Sequence, residues 1–170
     1  MELTIDASQF LQLADVWKQA PELTQRELLR AVTEADLLFQ GELQQNLPMG
    51  AGGRHGGGLV GGVHHEESIV AEGVLGMVSQ SQPYGVYVEV GTKPHKPPIQ
   101  PLMDWIEAVI GLRDKDAKSM AFAIRNTIGK RGTHAQRTWQ NTYNKLLPKI
   151  QQLLTDAVDR VRTQLAGGAA

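Results

Sequence analysis

Leu28, Val32, Ala35, Phe39 and Leu43 recur at spacings of three and four, the rhythm of an amphipathic helix, and they predict one running to about Asn46. Thr24-Gln-Arg-Glu27 reads as a capping box at its start, just after Pro21 interrupts the preceding chain. Upstream, Leu3 and Ile5 predict a short strand, and Asp6 followed by Gln9 predicts the N-cap of a helix over residues 7–18. Leu147, Ile150, Leu154, Val158, Val161 and Leu165 repeat the helical rhythm near the C-terminus. Thr133-His-Ala-Gln136 forms a second capping box before that helix, and Pro148 predicts a kink or a fresh start near Leu146.

Between these helices the rhythm changes. Tyr84, Val86, Val88 and Val90 alternate with other residues, which predicts a strand paired with Ile69–Ser79 through the connection Gln80–Pro83. Leu59–His65 is a candidate third strand. Neither face of Ile69–Ser79 is cleanly polar, so both are expected to be covered in the working state. Gly91 breaks the alternation. Prolines at 94, 97, 98 and 101 then exclude sheet, and exclude helix before Pro101. Pro101 suits a first helical position, and Leu102, Trp105, Ile106, Val109 and Ile110 share one face of a short helix ended by Gly111. Asp114 caps the next, whose apolar face is Ala117, Met120, Ala121, Ile124 and Ile128. Lys130 and Arg131 complement its C-terminal dipole before Gly132.

The expected class is therefore α+β: a small antiparallel, hairpin-based sheet packed against a long N-terminal helix and C-terminal helices. It is read as a single domain over residues 1–166, with a glycine-rich loop at 47–62, a proline-rich arm at 91–101 and a flexible tail at 167–170.

Composition narrows the function classes. A chain of 170 residues with 41% hydrophobic content supports one modest core. A formal charge of −1 and a pI near 6.5 give no global attraction to nucleic acid or an anionic membrane, so such binding needs a local patch. With no cysteine, disulfides and thiolate chemistry are excluded, and a reducing cytoplasm fits. The Met-Glu-Leu-Thr-Ile-Asp start lacks the basic and apolar regions of a secretory signal, and no apolar run approaches spanning length; no membrane partner is expected.

Candidate chemistry is sparse. Residues 50–62 hold eight glycines in thirteen positions, a density expected of a loop that orders only against a partner. Within it, Gly56-Gly-Gly-Leu-Val-Gly61 spells a dinucleotide fingerprint, but no strand precedes it and a strand-like segment follows, so no pyrophosphate site is expected. His64-His65-Glu66-Glu67 would put only two ligands on either strand face, too few for structural zinc. No nucleophile elbow or thiolate is present. No catalytic, metal-binding or cofactor-binding residue is assigned, and no cofactor or enzymatic role is expected. Two basic clusters remain: Lys93, His95 and Lys96, and Lys130, Arg131, His134 and Arg137. Of these, Lys130, Arg131 and Arg137 are candidate DNA-facing residues. Trp17, Trp105 and Trp139 lie on or beside apolar stripes and are read as core.

The segment Tyr87-Val-Glu-Val-Gly-Thr92 followed by Lys-Pro-His-Lys-Pro-Pro98 resembles the tail-completion (neck) proteins of long-tailed bacteriophages. The resemblance extends upstream to the amphipathic helix Leu28–Asn46, the Pro-x-x-x-Gly segment from Pro48 and the strand Ile69–Ser79. Downstream it takes in Ala121-Phe-Ala-Ile-Arg-Asn-Thr-Ile128, the turn Gly132-Thr133 and the helix Trp139–Leu165. It implies a structural virion protein made in the host cytoplasm. Such a protein forms a homo-oligomeric ring of six that completes the tail and contacts the head connector or adaptor and the tail terminator or tube, with DNA passing through the lumen. On this reading Gly50, Gly53, Arg54 and Gly58 of the glycine loop are subunit-interface residues. So are Lys93, Pro94, His95, Lys96, Pro97 and Pro98 of the arm, with Glu89 and Thr92 fixing the arm where it leaves the sheet. A nucleic-acid-binding module, and a tail terminator or head decoration protein, are the alternatives.

Overall fold

The computed structural model describes residues 2–6, 21–50 and 58–167. In chain order the elements are β1 (Glu2–Asp6), α1 (Pro21–Asn46), the single turn α2 (Gly58–Gly61), β2 (Val63–Val70), β3 (Gly73–Gln80), α3 (Gly85–Val90), α4 (Ile99–Trp105), a π-helical turn (Ile106–Ile110), α5 (Asp114–Arg131) and α6 (Thr138–Gly167). The fold is α+β, as its amphipathic patterns predict. The chain forms two compact units. One comprises Leu43–Val63 and Gln80–Asn141, the other Glu2–Glu42, His64–Ser79 and Thr142–Ala170.

In the second unit, β3 is the central strand of a three-stranded sheet in the order β1-β3-β2. β1 runs antiparallel to it, with Leu3 opposite Val78 and Ile5 opposite Gly76. The hairpin is thus β2–β3, turning through Ala71-Glu72. Val74, Gly76 and Val78 alternate into the core while Leu75 and Met77 are half-buried, so β3 has one fully covered face. The stripe of α1 is legible in full: Leu28, Ala31, Val32, Ala35 and Phe39 are buried. β3 meets this helix where Gly76 lacks a side chain, because a Cβ there would collide with Val32 and Asp36. α6 adds Leu146, Ile150, Leu154, Ala157, Val158 and Val161 to the buried set. Arg160 Nε meets Glu27 Oε2 at 3.0 Å, and Lys145 Nζ meets Glu42 Oε1 at 2.6 Å.

Several local readings are corrected. α1 is described from Pro21 onward, so Thr24 is not its cap. Thr24 and Glu27 lie inside the helix and are buried. Pro148 neither ends nor restarts α6, which is continuous around it; the proline is exposed while its neighbours Leu146 and Ile150 are buried. The helix expected over residues 7–18, Trp17, and the tail 168–170 lie outside the described residues.

The first unit overturns the proposed Tyr84–Val90 strand: Gly85–Val90 is the helix α3. Alternating valines mimic a strand, but Gly85 and Glu89, four residues apart, are the two buried positions, and that spacing is helical. Leu59–Val60 is a helical turn with both side chains buried, not strand; pairing starts at Val63. α4 starts at Ile99, two residues before Pro101, with Pro98 extended at its N-cap (φ −57°, ψ 146°). Three residues of α4's first turn need no helical N–H donor, so Pro101 fits inside it. The π-helical turn ends at Gly111 in the left-handed conformation (φ 82°). Ile106, Ala117 and Ala121 are buried together, flanked by Ile99, Leu102, Met103, Trp105, Leu112 and Ile124. Of the stripe predicted for α5, Met120 is exposed.

Candidate functional site

Two Gly-Thr dipeptides forty-one residues apart face one another in the first unit. Thr92 N–H donates to the Thr133 carbonyl at 3.1 Å and Thr133 N–H returns the bond to Thr92 at 3.2 Å, a one-residue antiparallel bridge. Their hydroxyls also bond to each other at 2.9 Å. The preceding glycines permit this approach. Gly91 (φ 75°, ψ 179°) and Gly132 (φ 74°, ψ −159°) occupy a backbone region essentially closed to other residues. A Cβ on Gly91 would overlap the Thr133 carbonyl, and one on Gly132 the Thr92 carbonyl.

Glu89 extends the junction. It is 5% exposed, and its carboxylate accepts the backbone N–H of Trp139 at 3.0 Å and of Gln140 at 3.1 Å. These are amides of the first turn of α6, which have no partner within their own helix. A carboxylate from elsewhere in the chain thus does the work of an N-cap and adds a favourable charge at the positive end of the helix dipole. The backbone joins in, since Gln136 N–H donates to the Val88 carbonyl at 3.0 Å and Arg137 N–H to the Glu89 carbonyl at 3.1 Å. Thr133-His-Ala-Gln136 is therefore not a capping box: these residues precede α6, whose cap is Glu89. Glu89 and Thr92 lie at the end of a helix rather than of a strand, Glu89 capping α6 and Thr92 bridging to Thr133.

The proline segment is tied down as well. His95 N–H reaches the Ile128 carbonyl at 3.4 Å, and the Lys96 side chain runs over Gly129, where a Cβ would lie 3.4 Å from its Cγ. Lys93, Pro94, His95, Lys96 and Pro98 are exposed, and Pro97 is half-buried. Lys130, Arg131 and His134 are exposed across the bridge, as is Arg137. The two basic clusters, separate in sequence, thus form one surface. Trp139 is core, whereas the half-buried Trp105 donates its indole N–H to the Met49 carbonyl at 3.1 Å.

Beside the bridge, Tyr87, Val90, Gly91, Thr92, Lys93, Pro94 and His95 line an open concavity of about 650 Å³. Val90 is 64% and Tyr87 62% exposed, with Tyr84 and Val86 also on the surface. The strand expected over Tyr84–Val90 would set Tyr84, Val86 and Val90 on one face; on the helix these side chains are exposed, and the buried positions are Gly85 and Glu89. Of the glycine-loop candidates, Gly53 and Arg54 lie outside the described residues and Gly50 is half-buried. Gly58 (φ 66°) begins α2 beside the Tyr84 hydroxyl, 3.5 Å from where its Cβ would stand. The dinucleotide-like glycines therefore run into a helical turn after all, but one of four residues followed by strand.

The second unit holds a polar feature that the pattern did not reveal. Asp36 of α1 is completely buried. Burial first, and then the neighbouring Glu67 carboxyl from β2, push its pKa up to about 7. Neither Asp36 oxygen has a donor among the described residues, and a proton held on Asp36 would supply one to the Glu67 carboxyl beside it. His65 Nε2 stands 3.8 Å from Glu67. His64 Nε2 pairs instead with Ser79 Oγ at 2.8 Å. Among the described residues no group of three or more acidic or histidine side chains is arranged to hold a metal ion.

No family model, curated protein or solved structure matches the chain.

Proposed function

We propose that this chain is a structural subunit of a bacteriophage neck. It assembles with copies of itself into a ring that completes the tail and joins it to the head connector. The observation that carries this reading is the exposed apolar face of α3 beside the proline segment. Tyr87 and Val90 are more than half exposed, next to a concavity whose other walls are the rigid Lys93-Pro94-His95 segment. Large apolar side chains grouped at a concavity mark surfaces covered by a partner. Proline fixes φ, so docking against this segment costs little further backbone entropy. The Gly-Thr junction adds to this, because it holds the face on a fixed frame.

A contact between this face and a different face of the next copy is heterologous, and it closes into a ring when the rotation between copies divides a full turn. Assembly, not turnover, is the proposed activity, and Tyr87-Val-Glu-Val-Gly-Thr92 with the following prolines is the part of the resemblance that lies on this surface. No helix among the described residues is long and apolar enough to cross a membrane. Purified protein added to heads and to tails lacking their completion factor should restore head–tail joining; failure of joining with folded protein contradicts the proposal.

A further inference from the structure

We propose that the surface built around the Thr92–Thr133 bridge binds the phosphate backbone of duplex nucleic acid. Lys93 and Lys96 on one side of the bridge, and Lys130, Arg131 and Arg137 on the other, are all exposed. None of them forms an ion pair among the described residues. The surrounding sequence is free of counter-charge. Residues 90–103 contain no acid, and residues 117–141 carry five Lys and Arg with no Asp or Glu. Glu89, the nearest carboxylate in sequence, is buried and spends both oxygens on α6 amides. A chain with net charge −1 therefore gathers a local cationic surface and keeps anions away from it.

Helix-dipole electrostatics accounts for Lys130 and Arg131 at the end of α5, but not for Lys93 and Lys96, which belong to no helix. Arg137 adds a cation just before α6. Its φ of 51° is positive, a conformation glycine would adopt without strain and in which an arginine costs roughly 1–2 kcal/mol. Asp114 at the start of α5 has the same conformation (φ 52°), so the conformation belongs to the helix start and only the exposed charge of Arg137 bears on the surface.

The rest of the surface selects the ligand class. Between the cations, Lys93–Lys96 and Gly129–Arg137 offer threonine and glutamine groups, glycine, proline, alanine and two histidines, and the exposed Tyr87 and Val90 stand beside Lys93 in one concavity. Single-stranded nucleic acid is held by stacking on a series of aromatics, and a lipid surface by several inserted apolar side chains; one tyrosine and one valine beside five cations are too few for either. Fixed cations and hydroxyls suit the regularly spaced phosphates of a duplex, contacted without regard to sequence.

This inference concerns the isolated chain, since a neighbouring copy seated over Lys93–Pro98 would compete with a duplex there; it does not rest on the ring, so either can fail while the other stands. The test is fluorescence anisotropy of a labelled DNA duplex titrated with the protein, alongside a single strand and vesicles containing anionic lipid. At about 50 mM salt the duplex should bind with Kd on the order of 10 µM, and log K should fall with log salt at a slope of about −3 to −4. Lys93→Glu with Lys96→Glu, and Lys130→Glu with Arg131→Glu, should each weaken binding at least tenfold and together abolish it, with circular dichroism unchanged. Arg137→Gly should weaken binding several-fold while raising the unfolding temperature, a combination that a misfolded variant cannot produce. The proposal is overturned by no duplex binding at low salt, by binding that survives both double reversals, by tighter binding to single strand or vesicles, or by reversals that act only on self-association.

Discussion

The carboxylate of Glu89 accepts the backbone N–H of Trp139 at 3.0 Å across fifty residues of sequence. The start of the longest helix is thus fixed by a residue on a short helix next to the exposed apolar face. Replacing Glu89 by Ala removes the carboxylate that accepts from the buried Trp139 and the exposed Gln140, and should cost about 1–3 kcal/mol of stability. Glu89→Gln keeps an acceptor and loses only the charge, so it should cost less. Urea unfolding followed by circular dichroism distinguishes the two, and equal losses would contradict the capping role.

The paired glycines set a sharper constraint. Gly132→Ala must both leave a glycine-only backbone region and displace the Thr92 carbonyl. It should destabilise by more than the roughly 1 kcal/mol that an ordinary exposed glycine replacement involves. Gly41→Ala, in open space within α1, is the control and should be neutral or stabilising, since alanine favours helix. Thermal unfolding of both variants checks the contrast.

How much of this was legible in the sequence depends on the range over which the signal acts. The α1 stripe from Leu28 to Phe39 was readable because its period of three and four is local, and the same holds for β1 and for the burial of Ile150, Leu154, Val158 and Val161. The hairpin was misplaced because Val86, Val88 and Val90 alternate like a strand, while β2 was divided between the candidate strands Leu59–His65 and Ile69–Ser79, on either side of the polar Glu66-Glu67. The true turn, Ala71-Glu72, carries its one usual turn residue just after it, at Gly73 (φ 151°), inside the run that reads as a single strand. Glu89 as a cap could not be read at all, since the motif near Thr133 offered a nearer candidate. Both members of the basic surface were visible as clusters; only folding, through two Gly-Thr dipeptides, brings them together.

Stability should also respond to pH through Asp36. Its folded pKa, about 7, lies above the ordinary value of 3.8, so the folded state holds a proton that the unfolded state releases. The contribution is complete below about pH 4, falls as pH rises through about 7, and is flat beyond. Asp36→Asn keeps the shape and supplies a permanent N–H donor to Glu67. Relative to the wild type it should gain on the order of a few kcal/mol between pH 5 and pH 8. Unfolding curves of both proteins across that range provide the measurement, and a difference independent of pH would contradict the shared proton.

The apolar face of α3 allows a separation of folding from assembly. Tyr87→Lys and Val90→Lys exchange exposed side chains for charged ones and should change monomer stability by less than about 0.5 kcal/mol. Both should block incorporation into particles in the head–tail joining assay. A variant that folds, carries both changes and still joins heads to tails would remove this face from the interface.

The most direct measurement is an image, at side-chain resolution, of the particle into which this chain assembles. Several copies arranged around a closed axis are expected, each with Tyr87, Val90 and the Lys93–Pro98 segment covered by the neighbouring copy. A single copy per particle, or a ring in which these residues face solvent, would contradict the proposal that the chain works by assembling with itself.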